Sequence, residues 1–397
     1  MVESFDINSL PHLLDKPQMQ EIVEERRRLV AENSAPCFNI AQLNMISSRI
    51  NCRFPFVALS LLFALAQCRL IIQLLHEDYK SCADAALGVL TGHPHWIVYQ
   101  NRVLGPWLIY IINLLVDNYV VSYMIFSIIM LTIAGYLASK IGQNICGALG
   151  GIMFFILLQL GFAIVMYKPL IYAWDFISLN VFLVIILLIQ GNKSWHWFVA
   201  LFAVSVFNRD DAMFIAFWLI CEPISFWLRA RVYEGRYLIL PWPSIAAGFA
   251  CVVVGLAVIH ALRWALLVEE IGPKLWGHGE VSNANFHFQL YTNLTFFEHL
   301  YGNIMLVPIA HIFNISMSLM IPVFLLCIFS SIIFLAFKYS KLWLGLALVH
   351  LGWLIATLLF CDVNETRVYI SFLPIIILAS TLAVFDIKIN STADTTC

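Results

Sequence analysis

The feature that most constrains this chain is a series of unbroken apolar runs, each about as long as a helix needs to cross roughly 30 Å of hydrocarbon at 1.5 Å per residue. They recur from Phe54 to Phe385, and 61% of the 397 residues are hydrophobic while 12% are charged. A soluble domain carries about 25% charged residues, so water is excluded as the solvent for most of this surface. Barrel strands are about half as long and alternate in polarity, which these runs do not. The expectation is an all-α polytopic membrane protein with spans near 54–75, 120–139, 146–167, 174–190, 195–208, 212–228, 241–265, 304–337, 342–361 and 368–385. That is roughly ten crossings. They form one membrane domain over 54–385, between an amino-terminal segment 1–53 and a tail 386–397.

Charge orients the spans. Basic residues collect on the cytoplasmic side of membrane proteins. Lys140, Lys193, Arg229, Arg231, Arg236, Lys338, Lys341 and Lys388 share a side with Arg26, Arg27 and Arg28 only if the run 107–116 does not cross. As a helix that run covers only about 15 Å, so a juxtamembrane or re-entrant helix is expected there. Both termini then lie in the cytoplasm and the loop 76–106 lies outside. No nucleic-acid partner is expected, since the net charge is −2 and the one compact basic run, Arg26–Arg28, sits where a cytoplasmic anchor belongs.

Under this topology, short polar segments far apart in sequence meet at the outer face. They are HED at 76–78, Arg102, KPLIYAWD at 168–175, NRDD at 208–211 and DVNETR at 362–367. Acids mixed with arginines at helix ends are what a polar cavity in a membrane protein needs. The plainer alternative is structural ion pairing, Arg209 with Asp210 or Asp211 and Arg367 with Glu365 or Asp362. A carboxylate can take a proton from an attacking hydroxyl, and an arginine can hold a departing phosphate by paired hydrogen bonds. Glu77 and Asp78, at the end of a span, are the base candidates. No cofactor motif is present. A divalent metal held by His76, His93 and His95 with Glu77 and Asp78 is the lesser reading, because the spacing is irregular and GHP at 92–94 suits a turn.

The run EDYKSCADAALGVLTGHPHW resembles the first outer loop of GT-C superfamily glycosyltransferases, which use polyprenyl-phosphate sugars. The matching positions are Glu77 and Asp78, Tyr79, Ala83 to Leu87, and Leu90 to Pro94. YQNRVLGPWL, KPLIYAWDFISL, FNRDDAMFI and NETRVYISFLP are similar to segments of bacterial multi-spanning members of that group, in order over residues 76 to 375. The resemblance implies that Asp78 or Glu77 is the catalytic base and that Arg102, Arg209 and Arg367 line the lipid-phosphate and sugar cavity. Lys168, Asp175, Asn208, Asp210 and Glu365 would shape the same substrate site. The partners implied are a polyprenyl-phosphate-linked sugar, membrane lipid, and an acceptor glycan or lipid.

Rival readings of the same charges are a transporter or flippase of lipid-linked glycans and an oligosaccharide polymerase or ligase with a diphosphate-linked donor. A transporter places its ionisable residues near the bilayer midplane, often in two matching halves. Here the acids gather at one face and no matching halves are visible.

Overall fold

A computed structural model describes residues 53–75, 78–94, 99–165, 171–233, 240–266, 293, 312–361 and 366–393. Described residues form helices α1 (Arg53–Leu75), α2 (Asp78–Thr91), α3 (Leu104–Val116), α4 (Tyr119–Val165), α5 (Ala173–Gln190), α6 (Trp195–Ser205), α7 (Met213–Tyr233), α8 (Trp242–Leu266), α9 (Ile312–Lys338), α10 (Ser340–Phe360) and α11 (Leu373–Ala393). Short 3₁₀ segments at Asp210–Ala212 and Thr366–Phe372 lead into α7 and α11. Among them, eight helices are long and apolar enough to cross a membrane. The chain is an all-α, multi-pass integral membrane protein. Residues 1–52 lie outside the described residues, and the segment expected as a tail continues α11 as helix to Ala393.

The longest helix cannot be one pass, since its 47 residues would stretch about 70 Å if straight. It folds back at Cys146 and Gly147, where Gly147 has φ +59°. That left-handed conformation favours glycine because it has no Cβ. The arms run antiparallel: a Cβ on Gly142 would strike the Gly150 carbonyl, and one on Gly135 would meet Phe155 at 2.9 Å. Small residues let the two backbones approach this closely. Seven of the eight long helices are therefore single passes and α4 makes two. The short α6, with 11 residues, falls below the length of these spans among the described residues.

Hydrogen bonds sort the helix ends into two layers. At one layer Asn144 donates to Gln190 Oε1 at 3.1 Å, tying the α4 bend to the end of α5. Elsewhere Ser244 Oγ donates to Leu219 O at 3.0 Å, holding the first turn of α8 against the body of α7. Lys140, Lys193, Arg229, Arg231 and Lys338 all belong to the layer of Asn144 by their places in the chain. The opposite layer holds the end of α2, the start of α5, the end of α6, the end of α8 and the start of α11.

Helix α3 stays within that second layer. Its first residue, Leu104, donates its N–H to Phe207 O at 2.8 Å, and Asn113 near its other end accepts from Ser122 Oγ at 3.3 Å. Ser122 neighbours Tyr123, whose hydroxyl donates to Ile171 O at 2.7 Å in the same layer. Both ends of α3 therefore sit at one face, as a helix of 13 residues and about 20 Å requires. Its Trp107, Tyr110, Ile111, Leu114 and Leu115 are exposed.

Helix α5 is enclosed by the others. It is apolar on every side, the pattern of a buried helix, and residues from Ala173 through Asn180 are buried without a break. The start of this enclosed helix carries Asp175, so its surroundings decide what a polar site there can do.

Candidate functional site

The site is assembled on the loop Tyr99–Val103 and on the ends of α5, α6, α8 and α11. The loop is anchored first. Helix α2 ends at Thr91, Gly92 follows with φ +79°, and the His93 N–H returns to Gly88 O at 2.8 Å. That is a glycine-based helix stop, the turn that GHP at 92–94 suggested. Gln100 Nε2 then donates to Val89 O at 2.7 Å with both groups buried, fixing the loop against α2.

At the start of α5 Asp175 is fully buried. Its Oδ2 accepts the Tyr172 N–H at 3.0 Å, a helix-start bond, and its Oδ1 lies 2.7 Å from Arg209 Nη1. Asn208 Nδ2 donates to Trp174 O at 3.0 Å and to Ser178 Oγ at 3.2 Å. The tetrad 208–211 therefore docks on the first turn of α5. Arg209 pairs with Asp175, not with Asp210 or Asp211 as the structural alternative expected. Burial works against the Arg209 cation, but Asp175 and Asp211 outweigh it and its pKa stands above the usual guanidinium value.

Three aromatic rings form the wall beside this pair. Tyr172 and Trp174 stack with centroids 4.7 Å apart, and Tyr99 tilts against both at 5.3 and 4.8 Å. Arg367 lies over Tyr172 at 4.7 Å and donates through Nη2 to Tyr99 OH at 3.1 Å. Burial pushes the Tyr172 phenol up, with Tyr99 adding to the shift and Arg367 opposing it. The phenol therefore stays neutral and serves as a wall.

Arg102 lies over Tyr99 at 4.5 Å and Trp174 at 5.2 Å. Only 8% of it is exposed, and no side-chain hydrogen bond or ion pair joins it to any described residue. Burial, then Arg209, pulls its pKa below the usual value, and Asp210 opposes them. Stacking on aromatic faces contributes about 2 kcal/mol when desolvated, less than the several kcal/mol that burying an ion costs. Its Nε is sealed without a partner, as are Trp174 Nε1, Asn208 Oδ1 and Asp211 Oδ2 nearby. Orphaned polar atoms in one place mark where a further group is needed to complete the bonding.

The last side of the site is a closed ring of polar contacts. Arg263, from the end of α8, donates through Nε to Asn101 Oδ1 at 3.1 Å, and Asn101 Nδ2 donates to Asp210 Oδ1 at 2.9 Å. Arg263 Nη2 lies 3.7 Å from Asp210 Oδ2. Arginine only donates and carboxylate only accepts, so the amide of Asn101 can be oriented in only one way.

The structure thus brings Arg102, Asp175, Asn208, Arg209, Asp210 and Arg367 together. Asp78 is the first residue of α2, and its neighbour Tyr79 packs edge-on against Tyr123 at 5.3 Å, which places that helix start beside the same layer. Glu77, Lys168 and Glu365 lie outside the described residues. Sequence reasoning overlooked Tyr99, Asn101, Tyr172 and Trp174 as individual residues and Arg263 altogether. An arginine three residues from the end of an apolar helix was the one signal for it. Among the described residues no three His, Cys, Asp or Glu side chains gather as metal ligands. No family model matches the chain, and no curated protein or solved structure matches it either.

Proposed function

We propose that the chain is a membrane glycosyltransferase of the GT-C type, moving a sugar from a polyprenyl-phosphate donor to an acceptor glycan or lipid. The observation that supports this most is Arg102, a buried guanidinium with no carboxylate on it, beside Arg209 and Arg367 at a membrane-boundary layer. A phosphate would satisfy it with charge-assisted hydrogen bonds. An isoprenoid tail explains why the phosphate site belongs at the ends of spanning helices, because the tail stays in lipid while the headgroup is held there. The basic residues of the opposite layer favour the cytoplasm for that side, which turns the site outward from a bacterial inner membrane.

The reaction is a one-step inverting displacement. The acceptor hydroxyl oxygen bonds to the anomeric carbon, the bond from that carbon to the phosphate oxygen breaks, and the hydroxyl proton passes to the carboxylate of Asp78, or of Glu77. Arg102 and Arg367 hold the charge left on the polyprenyl phosphate. Asp175 and Asn208 keep Arg209 and the tetrad in place. Lys168 and Glu365 belong to the same site in this reading.

The test is release of polyprenyl phosphate from a short-chain polyprenyl-phosphate hexose by purified protein in nanodiscs. Release by the wild type and its loss in Arg102→Gln are expected. A wild type that neither binds nor cleaves such donors sinks the reading, and vesicle transport of the intact donor without cleavage would favour the flippase.

A further inference from the structure

Arg102 and Asp210 interact electrostatically, yet they form neither a hydrogen bond nor an ion pair. A buried arginine beside a carboxylate normally pairs with it, since an unpaired ion is costly to bury. The Asp210 oxygens are turned to the ring instead: Asn101 Nδ2 donates to Oδ1 at 2.9 Å and Arg263 Nη2 lies 3.7 Å from Oδ2. Asp210 opens the 3₁₀ turn before α7, and Arg263 reaches it from the end of α8.

We infer that Arg263 is a positioning residue that holds Asp210 away from Arg102 and so keeps the Arg102 guanidinium available for an anionic ligand. This rests on the reading of Arg102 as a phosphate ligand. Arg263 touches neither the anion nor the reacting atoms. Its charge competes with Arg102 for one carboxylate, and Asn101 relays the arrangement because its amide donates to Asp210 while accepting from Arg263. Without Arg263, the Asp210 carboxylate turns onto Arg102, and the site is closed by its own side chain.

The probe is citronellyl phosphate, a short isoprenyl monophosphate, titrated against the full chain in nanodiscs. Arg263→Gln is expected to bind it about tenfold more weakly, the worth of one charge-assisted hydrogen bond. The double variant Arg263→Gln with Asp210→Asn is expected to bind as tightly as the wild type, and Arg263→Lys to keep most of the affinity. A loss that persists in the double variant overturns the inference, because a merely structural role for Arg263 cannot be rescued at Asp210.

A second measurement needs no ligand. Melting temperatures of Arg102→Gln, Asp210→Asn and their combination are compared with and without Arg263→Gln. The two changes should be additive when Arg263 is present and coupled when it is absent. Additivity in both backgrounds overturns the inference. If the wild type binds no phosphate, the transferase reading fails, and coupling seen only without Arg263 still supports the positioning role.

Discussion

The Nη1 of Arg209 lies 2.7 Å from Asp175 Oδ1 and joins residues 34 apart in sequence, with the carboxylate fully buried. Removing one partner of such a pair leaves an uncompensated buried charge. Asp175→Asn keeps an oxygen for the Tyr172 N–H, so it isolates the loss of charge, and it is expected to destabilise the protein by about 3–5 kcal/mol. Adding Arg209→Gln should recover much of that loss. Thermal unfolding in one detergent across the single and double variants measures both.

Arg102 behaves in the opposite way. With no carboxylate on it, Arg102→Gln removes a buried ion whose cost is offset only by aromatic stacking. The variant should melt at the same temperature as the wild type or higher. Binding of an isoprenyl monophosphate should fall by about ten- to a hundredfold, the range for hydrogen bonds to charged groups. A sharp drop in melting temperature would show that Arg102 serves packing.

The two layers make a topology prediction. Cysteines placed at Trp107 and Asp117 should label from one side of the membrane, because both ends of α3 are tied to one layer. A cysteine at Lys193 should label only from the other, since Gln190 is tied to the α4 bend. Labelling of Trp107→Cys and Asp117→Cys from opposite sides breaks the assignment.

The α4 hairpin tests its two glycines by different physics. Gly142→Ala drives a Cβ into the Gly150 carbonyl across the arms, and overpacking of this kind costs about 1–3 kcal/mol. Gly147→Ala meets open space but must hold φ +59°, which costs roughly 1–2 kcal/mol for a residue with a Cβ. Because the first clash is with backbone, which neighbouring side chains cannot relieve, Gly142→Ala should lower the melting temperature more than Gly147→Ala.

Much of the fold was legible because hydrocarbon imposes a length on every span. The break after Lys140 and the shortness of 107–116 were both visible as interruptions in apolar runs, and the charge rule decided their consequence. The segments KPLIYAWD and NRDD were legible as site material because polar residues between spans are conspicuous. Their pairing was not. Periodicity says nothing about a bond between Arg209 and Asp175, or about Asn101 meeting Arg263 across 162 residues. The aromatic wall was hidden for another reason: in a chain this rich in rings, Tyr99, Tyr172 and Trp174 differ from packing residues only by the arginines placed over them.

The last prediction concerns the proton. Asp78 begins α2, beside Tyr79 and the layer that holds Arg102 and Arg367. Glu77 precedes Asp78 and lies outside the described residues, so the two acids are separated by substitution. In the proposed transfer the shorter Asp78 carboxylate accepts the acceptor proton. Asp78→Asn should then cut turnover by about 10²–10⁴, the usual loss when a general base is removed. Donor affinity should stay unchanged, since the phosphate is held by arginines across the site. Arg102→Gln should show the converse, with affinity lost first. Glu77→Gln separates the two acids: it should retain turnover if Asp78 is the base. Measured on one polyprenyl-phosphate hexose, the pair gives opposite splits between kcat and KM. Turnover that survives both Asp78→Asn and Glu77→Gln removes the carboxylate-base mechanism from this loop.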